Sequence, residues 1–196
     1  MIERLAEALS RTPDAESPED QSELRPSAVL LPLLSVQGRP SLLYTRRSSA
    51  LPHHRGQVSF PGGIREEGDQ SLYETALRES VEEVGVDPSR VRCLARLPVT
   101  DTLGRFRIHP FLSLWPEDDY RVQSPEEVER IFTVPLAHLL DPESRKRVSV
   151  EEEGLVFEVS AFPLEGELIW GATYRITLHF LEILRKLPRL SEYLPK

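Results

Sequence analysis

The sequence predicts an α/β or α+β sandwich. Short aliphatic runs separated by Gly and Pro read as many strands. About two longer stretches carry apolar residues at helical spacing. A chain of 196 residues without internal repeats is long enough for one domain with a sizeable core.

Composition excludes several function classes. The formal net charge is −8 and there is no long basic run, which argues against charge-driven binding to nucleic acid or an anionic membrane. A small phosphorylated substrate stays compatible, because a bound divalent metal inverts the local field. No apolar run approaches the ~18 residues of a membrane span. Met1-Ile2-Glu3-Arg4 does not read as a signal peptide, and Tyr193-Leu194-Pro195-Lys196 is not a peroxisomal address. The single cysteine, Cys93, rules out an intrachain disulfide and points to a reducing compartment, the cytoplasm. Within Val91-Arg92-Cys93-Leu94 it reads as a small core residue.

Ile2 to Leu9 forms a short amphipathic helix, with Leu5, Ala8 and Leu9 on one side. Residues 11–26 are polar, hold Pro13, Pro18 and Pro26, and read as an arm. Ser27 to Val36 is the first buried strand, with Pro32 marking a bulge or edge position. Gln37-Gly38-Arg39-Pro40 turns the chain into a second strand, Leu42 to Arg46, making a hairpin. Residues 47–56 are a loop carrying Arg47, His53, His54 and Arg55, with the histidines read as loop residues. Gln57 to Phe60 is a short strand leading into Gly62-Gly63.

The helix that follows starts at a capping box, Ser71-x-x-Glu74, and stops at Gly85. Val91 to Val99 is a strand, Asp101 to Gly104 a turn, and Arg107 to Trp115 a strand interrupted by Pro110. Pro116 to Glu127 is an acidic loop and Val128 to Val134 a strand. Pro135 to Leu140 is a short helix with proline at its first position. Arg147 to Glu151 and Leu155 to Phe162 form a hairpin. The last helix runs from Ile169-Trp170-Gly171-Ala172 to about Lys186, with Ile176, Phe180, Ile183, Leu184 and Leu187 inward. Trp115 and Trp170 read as core or pocket-wall residues.

Chemistry concentrates in the central helix. With about 100° per residue, Glu83 lies roughly 40° to one side of Glu79 and Glu82 roughly 60° to the other. Tyr73, Leu77, Ser80 and Val84 occupy a separate stripe that anchors the helix to a sheet. Arg78 stands four residues before Glu82, the spacing of a helical ion pair. The competing reading is a solvated acidic face. Two features favour chemistry instead. The glycine pair lets backbone approach a ligand, and clustered carboxylates suit hard cations such as Mg²⁺ or Mn²⁺. Phosphoanhydride cleavage needs such ions and a carboxylate to handle water. No HExxH or CxxC spacing suggests zinc.

Gly63 to Val86 resembles the Nudix box, G-x5-E-x7-R-E-U-x-E-E-x-G-U, where U is a bulky aliphatic. Arg78 to Val86 matches at every position but Ser80, which replaces an aliphatic. On the left, Asp69 stands at the first acidic position, with one extra residue before Arg78; it reads as a capping or supporting residue rather than a ligand. The coenzyme A pyrophosphatase branch has a similarly stretched box, preceded by a segment like LLTxRSxxLRxHxGQVSFPGG. Leu42 to Gly63 is similar to that segment, with Pro52 where the branch often has Arg and Arg55 nearby to supply its charge. Val134-Pro135-Leu136 and Ile169 to Thr173 also look like branch signatures.

The resemblance implies a Nudix α/β/α sandwich with a mixed central sheet, formed by residues 27–196, with residues 1–26 as helix and arm outside it. It implies hydrolysis of CoA or its derivatives to 3′,5′-ADP and 4′-phosphopantetheine, with Mg²⁺ or Mn²⁺ as cofactor. By the same resemblance Glu79, Glu83, Glu82 and the Gly63 carbonyl are the metal ligands. Glu82, Arg78 and Glu127 form the catalytic set: Arg78 orients Glu82, and Glu127 (rival, Glu126) is the base or an extra ligand from outside the box. Arg46, Arg47 and Arg55 are the phosphate-binding candidates, because guanidinium forks match phosphate oxygens. The other readings are a different Nudix substrate (ADP-ribose, NADH or an oxidised nucleotide) and a non-catalytic nucleotide sensor.

Overall fold

In a computed structural model, which describes residues 1–14, 23–51, 54–102, 106–117, 120–152 and 154–194, β1 (Arg25–Val36) is the strand on which the other layers are built. Its two faces are both apolar. Ala28, Leu30 and Leu34 point to one side and Leu31 and Leu33 to the other, each fully buried in a separate core cluster. It pairs antiparallel with β2 (Arg39–Arg47) and parallel with β7 (Phe106–Leu114). The sheet is therefore mixed, and its main path runs β3 (Val58–Ser59), β2, β1, β7, β5 (Arg92–Arg96). β4 (Gly62–Ile64) joins β1, β6 (Thr100–Asp101) joins β7, and β8 (Val128–Pro135) joins β2.

Helices cover both faces. α2 (Leu72–Val84) buries Ala76 and Val84 against Ala28, Leu30, Leu34, Leu43, Phe111 and Trp115. On the opposite face α1 (Ile2–Leu9) and α4 (Gly171–Lys186) bury Leu5, Leu9, Ile176, Phe180, Leu181 and Leu184 in the second cluster. The short α3 (Leu136–Leu140) joins it through Leu136 and Leu139. A second sheet, β11 (Glu167–Ile169), β10 (Leu155–Leu164) and β9 (Lys146–Glu152), contributes Phe162 and Ile169 to the same cluster. Among the described residues no helix is long and apolar enough to cross a membrane.

One detail of the sheet positions the site. β1 and β2 pair near their shared turn, from Leu33↔Leu42 to Val36↔Arg39, and then separate. Residues 58–64 fill the opening: β3 pairs with β2 through Thr45↔Ser59, and β4 pairs with β1 through Ala28↔Gly63. Pro32 lies between these two pairings. The sequence suggested a bulge or edge there. Instead β1 is interior, and the missing amide is tolerated because the partner along that edge changes at this point.

Other local expectations are corrected. Cys93 is exposed rather than a core residue. It lies on β5, the terminal strand of the main path, on the face opposite the buried Leu94. Pro110 does not interrupt β7, because it pairs with Val29 and its carbonyl accepts from the Leu97 amide. Pro135 ends β8 and caps α3 rather than opening it. Arg25 and Pro26, read as arm, begin β1, and β11 had no clear signal in its three residues. Pro52, His53 and the Leu103-Gly104 half of the predicted turn lie outside the described residues.

Candidate active site

α2 forms because its first turn is capped and its apolar stripe faces the sheet. Ser71 Oγ accepts from the Glu74 amide at 3.1 Å, and Glu74 Oε2 accepts from the Gln70 amide at 2.8 Å, a reciprocal cap displaced by one residue from the usual box. Gly85 ends the helix in the left-handed conformation at φ 65°. The last helical carbonyls still need donors. They receive them from the acidic loop: Ser124 Oγ donates to Glu82 O at 2.8 Å, the Gln123 amide to Glu83 O at 3.0 Å and the Arg121 amide to Val84 O at 2.9 Å. Three residues past that clasp, the Glu127 carbonyl accepts from the Ser48 amide at 2.8 Å. Glu127 is thus tied both to the end of α2 and to the start of the 47–57 loop.

The carboxylates meet the glycine pair where β1 and β2 separate. A Cβ on Gly63 would overlap the Glu79 carboxylate, so glycine is what permits the approach. Gly62, at φ 148°, lies against the backbone of Ala28 and Val29, and its amide donates to Glu83 Oε2 at 3.1 Å. Glu83 is 2% exposed. Burial pushes its pKa up to about 8; the Gly62 amide and Arg47 oppose the rise, while Glu79 and Glu127 add to it. Glu79 is also raised, first by burial, with Arg78 opposing and Glu82 and Glu127 reinforcing. Glu127 thus contributes to the rise of both groups.

Arg78 ties the helix to the preceding turn. Its Nε and Nη2 donate to the two Asp69 oxygens at 3.1 and 3.2 Å. Nη1 reaches Glu82 Oε2 at 3.2 Å and Glu79 Oε1 at 3.1 Å, and Nη2 reaches Ile64 O at 3.3 Å. The Arg78 hydrogen bonds hold Asp69 well below the usual carboxylate range, and the same pairing raises Arg78. Asp69 also accepts from Thr75 Oγ1 at 2.9 Å and from the Glu66 amide at 2.9 Å. Its oxygens are committed to this clasp.

The three candidate arginines separate. Arg47 is near enough to oppose the rise of Glu83. Arg46, one residue earlier on the strand, turns to the second sheet: Nη1 donates to Gly166 O at 3.3 Å, and the guanidinium lies 3.6 Å from Glu167 and 3.7 Å from Glu129. Arg55 is exposed and donates through Nε to Leu51 O at 2.7 Å. His54 lies 3.3 Å from Glu152, which also accepts from Gln57 Nε2 at 2.6 Å, so this histidine ties the loop to the β9–β10 hairpin.

A divalent cation fits this chemistry. Glu83 is buried among like charges and binds a proton up to about pH 8, a role a cation can take over. Glu79 and Glu83 are the carboxylates that meet the glycine pair, and Arg78 links Glu79 to Glu82. Among the described residues, no three acidic, histidine or cysteine side chains stand in a metal-ligand arrangement, and Glu79 Oε1 lies 3.1 Å from Arg78 Nη1.

Sequence and fold comparisons agree. The model of the NUDIX domain matches residues 24–152. The uncharacterized Nudix hydrolase NudL of Photorhabdus laumondii is 38% identical over 152 residues, 78% of this chain and 81% of that protein. Its Yersinia pestis counterpart is 35% identical over 158 residues, 81% and 79% of the two chains. A MutT/nudix family protein of Enterococcus faecalis shares the fold at a TM-score of 0.54 with 14% identity, covering 98% of this chain and 78% of that one. Taken with the sandwich and the carboxylate helix, these matches lead to one conclusion: the chain belongs to the Nudix family, as a hydrolase of phosphoanhydride bonds.

Proposed function

We propose that this Nudix hydrolase cleaves the pyrophosphate of coenzyme A and its derivatives, giving 3′,5′-ADP and 4′-phosphopantetheine. The observation that carries the substrate reading is the run Leu42–Gly63, similar throughout to the CoA-cleaving branch. That run comprises most of β2, the 47–57 loop, β3 and the start of β4, and it ends on the glycines under Glu79 and Glu83. The stretch that marks the substrate and the stretch that seats the carboxylates are continuous. In this reading the catalytic domain begins with β1 at Arg25, two residues earlier than the sequence suggested, and α1 packs into its core. The lone cysteine supports a reducing, cytoplasmic setting.

Glu79, Glu83, Glu82 and the Gly63 carbonyl would hold Mg²⁺ or Mn²⁺, which when bound neutralises phosphate oxygens and acidifies water. The protein's own groups do the rest. Glu127 accepts the proton of the attacking water as the new P–O bond forms and the phosphoanhydride bond breaks. Arg78, held by Asp69, keeps Glu82 in position. Arg47 meets a substrate phosphate from the loop side, with the exposed Arg55 further out; Arg46 serves the fold, since its contacts lie with Gly166 and Glu167.

The test incubates the purified chain with Mg²⁺ or Mn²⁺ and CoA, acetyl-CoA, ADP-ribose, NADH or 8-oxo-dGTP, and identifies products by mass. Release of 3′,5′-ADP from CoA is expected. Brisk cleavage of another member with CoA untouched would overturn the substrate reading, and cleavage of none would favour a sensor.

A further inference from the structure

A cavity of ≈ 180 Å³ opens between the start of α2 and the β5–β7 side of the sheet, and none of Glu79, Glu82, Glu83 and Glu127 lines it. Arg65, Arg96 and His109 line it, together with Gln70, Ser71 and Phe111, and no acidic residue is among its lining groups. Two acids approach from outside the lining: Asp14 Oδ1 accepts from the Arg96 backbone amide at 2.8 Å, and Asp101 interacts electrostatically with His109. Arg96 lies over the Phe111 ring, its Cζ 5.6 Å from the ring centroid. Arg65 donates one bond, from Nη2 to Asp69 O at 3.2 Å. Neither is in an ion pair with a carboxylate among the described residues. His109 is 8% exposed. The helix end itself is not the attraction, because Ser71 and Glu74 already cap it.

We propose that this cavity binds a phosphate-bearing small molecule, separate from the catalytic carboxylates. Two guanidinium-bearing residues line one cavity, a composition that suits the oxygens of a phosphate monoester, and the Ser71 and Gln70 side chains add polar groups. The Phe111 wall gives an organic portion of the ligand an apolar surface. The site does not depend on which substrate the enzyme hydrolyses.

Calorimetric titration of the full, metal-free chain with inorganic phosphate and with phenyl phosphate tests this. Both should bind. Phenyl phosphate binding more tightly identifies an organic ester as the ligand, and equal affinities identify free phosphate. Arg96→Gln should weaken binding about tenfold, the loss of one charge-assisted hydrogen bond, while leaving substrate hydrolysis in phosphate-free buffer unchanged. Arg47→Gln should leave the binding intact. The proposal is overturned if neither probe binds, or if binding survives Arg96→Gln and is lost in Arg47→Gln, which would place the anion at the catalytic site.

Discussion

Glu83 holds its proton in the metal-free protein because burial and two neighbouring carboxylates disfavour its charge. Its pKa of about 8 stands above the ordinary 4.5, so the folded chain keeps a proton that the unfolded chain releases. That contribution to stability is full below about pH 4.5 and is lost as pH rises through about 8. Thermal unfolding of metal-free protein should therefore show a Tm that falls between about pH 4.5 and 8 and levels off above, and Glu83→Gln should flatten this fall while abolishing turnover. Wild-type-like activity in that variant would refute its role as a ligand. Metal affinity should rise over the same window with proton release, measurable by calorimetry in buffers of different ionisation enthalpy. Asp69 has the opposite sign. Its depressed pKa stabilises the fold above the ordinary carboxylate range and ceases to do so as pH falls. Asp69→Asn should lower kcat about 10–100-fold by releasing Arg78, with a smaller change in KM.

At the scale of elements, the glycine pair and the loop that clasps α2 set the carboxylate geometry. The two glycines should fail differently. Gly62→Ala would press a methyl group into the backbone of Ala28 and Val29, so it should fold poorly or lose roughly 3 kcal/mol or more in denaturant titration. Gly63→Ala meets the mobile end of Glu79, so the fold should persist while turnover falls at least tenfold. Ser124→Ala removes the hydroxyl that caps Glu82 O, and should cost about 0.5–1.5 kcal/mol of stability and lower kcat. The helix, its cap and its glutamates were legible because periodicity and capping are local. The clasp was not: open carbonyls at a helix end announce that donors are needed without saying which loop supplies them. Arg46 and Arg47 could not be told apart in sequence for a related reason, since adjacent strand residues point apart and only the partners reveal which side holds the site.

Across the whole molecule, most elements followed from apolar patterning, and the sandwich followed from their number. Their pairing did not. The place of Cys93 on a terminal strand and the change of partner at Pro32 depend on strands distant in the chain. The N-terminal helix packs into the core that α4 fills, with Leu5 and Leu9 fully buried. Leu5→Ala should therefore cost about 2–5 kcal/mol, read as a lowered denaturant midpoint at unchanged slope.

The parallel pairing of β1 with β7 carries a kinetic consequence. Ser27 bonds to the carbonyl of Arg107, 80 residues along the chain, while the β1–β2 hairpin closes locally. Closing so long a loop costs entropy before the pairing repays it, so the hairpin should form early and the β1–β7 ladder late. Gly62 and Gly63 pair with the N-terminal half of β1, which β7 must secure from the other side. Catalytic competence should then be among the last properties to return on dilution from denaturant, after the far-ultraviolet signal has largely recovered.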